Sequence, residues 1–207
     1  MLRSKGARTL PLRGGLAFGL MTMVASTALA AGGQAMLTGG LTSQPIGHYE
    51  FCRANPAECS IRPRDVGPLQ LTDATWSELV DVNRAVNAAV KPMNDFDIYG
   101  KDEVWAYPDK GVGDCEDYVL EKRRRLAAQG ISLSDLLITV VRKPDGEGHA
   151  VLTVRTDNGD FILDNLSDTV KPWEATGYRY LKRQATNHTG RWVTIRDGDA
   201  TLVGSVQ

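Results

Sequence analysis

Gly113-Asp114-Cys115-Glu116-Asp117-Tyr118 is the stretch whose reading decides the fold of this chain. A turn glycine leads into one cysteine set among three carboxylates, and the helix-like run Val119-Leu120-Glu121-Lys122-Arg123-Arg124-Arg125-Leu126 follows. A cysteine in the first turn of a helix faces the positive end of the macrodipole and unpaired backbone N–H groups, and both favour the thiolate. Two later stretches complete a constellation, Gly148-His149-Ala150-Val151-Leu152 and Phe161-Ile162-Leu163-Asp164-Asn165. His149 opens a strand-like run after a glycine-rich turn, and Asp164 closes another. The order predicts Cys115 as nucleophile, His149 as the base that shuttles its proton, and Asp164 as the carboxylate that fixes the imidazole's tautomer. The backbone N–H of Cys115 would be one oxyanion donor, with the indole of Trp105 as a further candidate.

Upstream of this core, Arg3, Lys5, Arg8 and Arg13 form a basic region ahead of an apolar stretch, and Ala28-Leu29-Ala30 supplies a small-x-small cleavage site. Residues 1–30 therefore read as a secretory signal peptide, too short in its apolar core to span a bilayer comfortably. Its removal leaves 20 basic against 25 acidic residues, a net charge near −5, with no basic patch suited to nucleic acid. The run Lys122-Arg123-Arg124-Arg125 reads as a solvated helix face. Export brings the three cysteines into an oxidising compartment. Cys52 and Cys59, close together around Pro56, are expected to pair, leaving Cys115 as a reactive thiol.

The mature chain should begin with a flexible Gly/Ala/Thr-rich lead, 31–45, ahead of one domain over 46–198 and a tail over 199–207. Thr72 or Asp73 can cap a helix whose apolar residues Trp76, Leu79, Val80, Val82, Val86 and Val90 fall mostly at three- and four-residue steps up to Lys91-Pro92. Residues 93–113 read as a long loop broken by Gly100, Pro108 and Gly111. The cysteine helix should end at Gly130. Strands are expected at 136–142, 150–155, 160–163, 178–183 and 191–196, the first three joined as an antiparallel meander. The fold class is α+β, with N-terminal helices packed on an antiparallel sheet. For the hairpin before Asp164, a four-residue loop from Arg155 to Asn158 would pair Val154 with Gly159 and set His149 directly opposite Asp164, with Asn158 left-handed.

The three blocks Gly-Asp-Cys-Glu-Asp-Tyr, Gly-His-Ala-Val-Leu and Ile-Leu-Asp-Asn, in that order, resemble the signature of the bacterial transglutaminase-like cysteine peptidases over roughly residues 45–195. The resemblance implies a papain-like fold, a Cys115–His149–Asp164 triad and a periplasmic or secreted endopeptidase acting on a protein substrate. In relatives that substrate is a surface adhesin, and an inner-membrane receptor regulates the enzyme. It also implies calcium beside the nucleophile, held by Asp114 and Glu116, with Asp117 a further candidate. Without a metal, the same carboxylates would serve as helix caps and raise the pKa of the thiol beside them. Oxygen ligands suit a hard cation, whose charge would offset that penalty. Two other readings use the same residues: an amide acyltransferase or deamidase, and a non-catalytic binding module of the same fold.

Overall fold

The computed structural model describes residues 1–2 and 33–196. Residues 3–30 of the expected signal peptide and the whole expected tail, 199–207, lie outside the described residues. The chain runs through β1 (Thr38–Thr42), α1 (Ile46–Ala54), α2 (Pro56–Cys59), α3 (Asp73–Ala89), β2 (Lys91–Pro92), α4 (Asp95–Tyr99), β3 (Val112–Gly113) and α5 (Cys115–Ala128). It continues through β4 (Leu136–Arg142), β5 (Gly148–Thr156), β6 (Gly159–Asp164), β7 (Ser167–Pro172), a 3-10 turn (Trp173–Ala175), β8 (Arg179–Ala185) and β9 (His188–Ile195). Helices come first and an antiparallel sheet follows, so the α+β class holds.

The helices form where their local signals lie. Thr72 caps α3 by accepting from the Thr75 N–H at 3.1 Å. Leu79, Val82 and Val86 put one buried stripe on the sheet side. α5 ends at Gln129, and Gly130 takes the turn at φ 97°. It is enclosed on nearly every side, with Tyr118, Val119, Leu120 and Leu126 packed against Leu136, Ile138, Leu152 and Leu163 of the sheet. Lys122 and Arg123 are buried with them, which corrects the reading of the basic run as solvated. Only Arg124 and Arg125 reach outward, both to Glu121. A disulfide joins Cys52 to Cys59, and Cys115 is free.

The seven strands lie in the order β1-β9-β8-β4-β5-β6-β7. β1 falls inside the stretch expected to be a flexible lead. Gly39 marks close packing instead, because a Cβ on it would collide with the Thr194 hydroxyl across the pair with β9. The expected long loop is also built. It contains the single-turn α4 and ends in β3, which pairs in parallel with β2.

The hairpin before Asp164 differs from the expected register. Thr156 pairs with Gly159 and Leu152 with Leu163, so the turn is the two residues Asp157 and Asn158. Gly159, at φ 99°, takes the left-handed position expected of Asn158. The Thr156 hydroxyl closes the turn, accepting from Asn158 N–H at 3.1 Å and donating to Gly159 O at 2.6 Å. Continued by one pair, this register sets Asp164 opposite Val151, two residues from His149. Such diagonal neighbours share a face, and long side chains span the gap.

Candidate active site

Cys115, His149 and Asp164 come from α5, β5 and the end of β6. Cys115 and His149 line one cleft of about 540 Å³ with Met93, Lys143 and Leu166. His149 Nε2 lies 2.9 Å from Asp164 Oδ1, both side chains buried. Asp164 is itself held. Oδ1 accepts from Leu166 N–H at 3.0 Å, and Oδ2 accepts from the Tyr178 hydroxyl at 2.6 Å. Burial would raise this carboxyl, but the bonds from His149 and Tyr178 outweigh it and its pKa lies below the ordinary value. The Tyr178 ring also stands edge-on to the imidazole, 5.6 Å between centroids. Nothing in the sequence marks Tyr178 as part of the site.

The turn carrying Asp164 is fastened from below by α3. Asn83 Nδ2 donates to Ser167 O at 2.9 Å, and Asn87 Nδ2 donates to Asp164 O at 3.0 Å. The imidazole is thus oriented by a carboxylate whose backbone and side chain are both fixed.

The Cys115 thiol, the expected nucleophile, is less ready. The Cys115 thiol donates to Glu116 Oε2 at 3.1 Å. Burial, and then the adjacent Glu116 carboxylate, push its pKa well above the ordinary thiol value. Glu116, expected as a metal ligand, turns its carboxyl to the thiol and to Asp114, and burial followed by the Asp114 charge raises it to about 9. Asp114 gathers instead with Asp95 and Asp117. One carboxylate oxygen from each of the three lies within 4.8 Å of the others.

These three carboxylates are built toward one point. Asp95 Oδ2 accepts from the Val104 N–H and Asp117 Oδ1 from Ala106 N–H at 2.8 Å. Asp114 occupies the N-cap of α5 without making a side-chain cap. Asp95 Oδ1, Asp114 Oδ1 and Asp117 Oδ2 are all buried without a hydrogen-bond partner. Gly113 is needed beside them, because a Cβ there would stand 2.6 Å from Asp117 Oδ2. Burial, and behind it the Asp114 charge, raises Asp95 to about 6 and Asp117 to about 7. Three bare, buried oxygens from three carboxylates fit a hard divalent cation. Asp95 escaped the sequence reading because it sits in α4, a helix too short to show periodicity. Its one local signal is the acidic pair with Asp97.

Trp105 takes no part in an oxyanion hole. Its indole N–H donates to Glu103 Oε1 at 2.8 Å, and the ring packs edge-on against Trp192 and His48 in the core.

Residues 38–200 match the family described as bacterial transglutaminase-like cysteine proteinase (BTLCP). Among solved structures, LapG of Legionella pneumophila is 26% identical over 57% of this chain and 67% of that one, with a TM-score of 0.49. Its calcium-bound form is 24% identical, covers 62% of this chain and 75% of that one, and gives a TM-score of 0.50, a likeness of fold. An EGTA-treated form is 24% identical over 59% of this chain and 72% of that one, with a TM-score of 0.49. No curated protein matches.

Proposed function

The chain belongs to the bacterial transglutaminase-like cysteine proteinases, and from that premise we propose that it is an exported endopeptidase working through Cys115, His149 and Asp164. The observation that carries the triad is the 2.9 Å bond between His149 and Asp164, made in the cleft that Cys115 lines. Sγ attacks the carbonyl carbon of a substrate peptide bond while the imidazole takes the thiol proton. The same proton then passes to the leaving amine, and the thioester is hydrolysed by water. Asp164, fixed by Tyr178 and by Leu166 N–H, holds the imidazole with its other nitrogen free for that proton.

Asp95, Asp114 and Asp117 would hold calcium, a set that keeps Asp114 and the further candidate Asp117 from the sequence reading and has Asp95 in place of Glu116. Its charge would offset the carboxylates that hold the Cys115 proton in place. The calcium-bound LapG structure, alike in fold, supports this reading. The chain's own residues perform the reaction: Asp164 orients, His149 moves the proton, and Cys115 carries the acyl group. The expected setting is the periplasm, with a surface adhesin as substrate and a membrane receptor as regulator.

The test compares surface and released proteins from cells carrying the wild-type chain or Cys115→Ala. A protein retained at the surface by the variant and released by the wild type is expected. Identical release would sink the endopeptidase reading, and incorporation of an added primary amine into the product would move it to acyl transfer.

A further inference from the structure

The reaction assigned above gives Trp105 no task, although it is buried and lies between two residues that hold the carboxylate cluster. Val104 N–H donates to Asp95 Oδ2, and Ala106 N–H donates to Asp117 Oδ1 at 2.8 Å. Asp95 and Asp117 are almost wholly buried, and these bonds leave one oxygen of each, Asp95 Oδ1 and Asp117 Oδ2, without a partner. Two of the three acidic side chains are therefore aimed by the backbone on either side of one indole.

That indole is in turn held by α1. Its ring stands edge-on to His48, 5.2 Å between centroids, with Trp192 at 6.4 Å. A Cβ added to Gly47 would collide with Trp105 Cδ1, so the α1 backbone lies directly on the ring. Two residues on, Tyr107 packs edge-on to Phe51 of the same helix at 5.9 Å. Side chains 105 and 107 thus go to α1, while the N–H groups of 104 and 106 go to the carboxylates. A disulfide from Cys52, in the last turn of α1, to Cys59 of α2 fixes that helix. The His48 imidazole lies against both sulfurs, Nε2 being 3.9 Å from Cys52 Sγ and 4.0 Å from Cys59 Sγ. Trp192 Nε1–H donates to His48 Nδ1 at 3.2 Å. An indole can only donate, so Nε2 carries the proton of the neutral ring and turns it to the sulfurs.

We propose that Trp105 is a positioning residue of the cation site. α1, closed by its disulfide, sets the indole, and the indole sets the Val104 and Ala106 N–H groups that aim Asp95 and Asp117. The inference rests on the calcium reading given above. It gives the Cys52–Cys59 bridge a task beyond stability, because losing it frees the end of α1 that carries His48 and Phe51 against the 105–107 segment. Outer partners that orient metal ligands contribute about ten- to a hundredfold in affinity.

The experiment uses the full mature chain as Trp105→Ala, Trp105→Phe and the double variant Cys52→Ser/Cys59→Ser. The control is Trp76→Ala, which breaks a ring pair between α3 and β6, Trp76 with Phe161 at 5.2 Å. Calcium dissociation constants are read by calorimetry at a temperature where circular dichroism shows each protein folded, beside melting temperatures in chelator. Trp105→Ala should weaken calcium binding about tenfold or more. Trp105→Phe, which keeps a ring against α1, should weaken it less, and the disulfide variant should weaken it severalfold. Trp76→Ala should melt lower and bind calcium as the wild type does. A merely structural Trp105 would lower the melting temperature alone, so wild-type affinity in Trp105→Ala, or in the disulfide variant, overturns the proposal. If Trp105→Ala does not fold, Trp105→Phe takes its place, and wild-type affinity there overturns it equally. An equal loss of affinity in Trp76→Ala also overturns it, because binding would then follow stability. Calcium failing to bind the wild type removes the calcium reading and this inference with it. Normal wild-type binding with unaffected variants removes only the inference.

Discussion

Cys115 has two opposing neighbours, and their magnitudes decide its state. A helix N-terminus favours a nearby negative charge by about 0.3–1 kcal/mol. Burial and a carboxyl 3.1 Å away act the other way, and the thiol is held up rather than down. The dipole argument from sequence was sound in sign and too small. The missing positive charge is what the Asp95–Asp114–Asp117 cluster could bring. Asp95→Asn and Asp117→Asn are each expected to lower calcium affinity at least tenfold, on the order of the loss of one charged ligand, and to slow Cys115 alkylation, as a chelator should on the wild type. Calorimetry showing wild-type calcium binding in both variants would return these residues to a structural role. At the other end of the site, Tyr178→Phe removes one donor from Asp164. A hydrogen bond to a charged group contributes about 1.5–3 kcal/mol, so turnover should fall roughly tenfold or more while the fold is kept. Unchanged turnover would show that His149 and Leu166 N–H suffice to hold Asp164.

At the scale of elements, what the sequence showed and what it hid follow from how local each signal is. The residues of the proposed triad stood out because they sit near element ends marked by their neighbours, with Gly113 ahead of Cys115 and Gly148 before His149. α3 was legible from its cap and its stripe. β1 was not, because its partner β9 is some 150 residues away and Gly39 serves a close approach that only the fold reveals. Lys122 was misread because a charge run says nothing about a helix enclosed on nearly all sides. The β5–β6 register was misjudged by assuming that His149 and Asp164 must stand directly opposed. A diagonal pair does the same work, and the turn is set by Gly159 and Thr156. Gly159→Ala tests this. Its φ of 99° is unfavourable to alanine, and a Cβ there would strike the Gly33 main chain. Gly146, at φ 92° with nothing within 4 Å of its Cβ position, has only the conformational term. Gly146→Ala should cost about 1 kcal/mol, and Gly159→Ala distinctly more, read as the larger drop in denaturant midpoint. Equal drops would mean that the contact with Gly33 does not hold the hairpin.

For the molecule as a whole, the carboxylates around the cysteine make stability depend on pH in an unusual direction. Asp95, Asp117 and Glu116 titrate in the folded protein at about 6, about 7 and about 9, above the roughly 4 expected of an unfolded chain. The metal-free folded state therefore keeps protons that the unfolded chain has already released. The stability linked to these groups is full below pH ~4 and is lost as pH rises through the folded values. Asp164 acts in the opposite sense, because its depressed pKa confers stability above pH ~4 that is lost only in more acid solution. The two effects thus occupy separate windows. Calcium at this cluster would bind the ionised carboxylates, so its stabilising increment should grow as protons leave on their own. Melting temperatures in chelator should fall from pH 5 to pH 8, while those in excess calcium fall less, and the gap between them should widen with pH. In Asp117→Asn that widening should shrink, because one of the titrating groups is then neutral throughout while Asp95 and Glu116 remain. A gap that stays constant, or narrows, from pH 5 to pH 8 would mean that the clustered carboxylates do not exchange their protons for the cation.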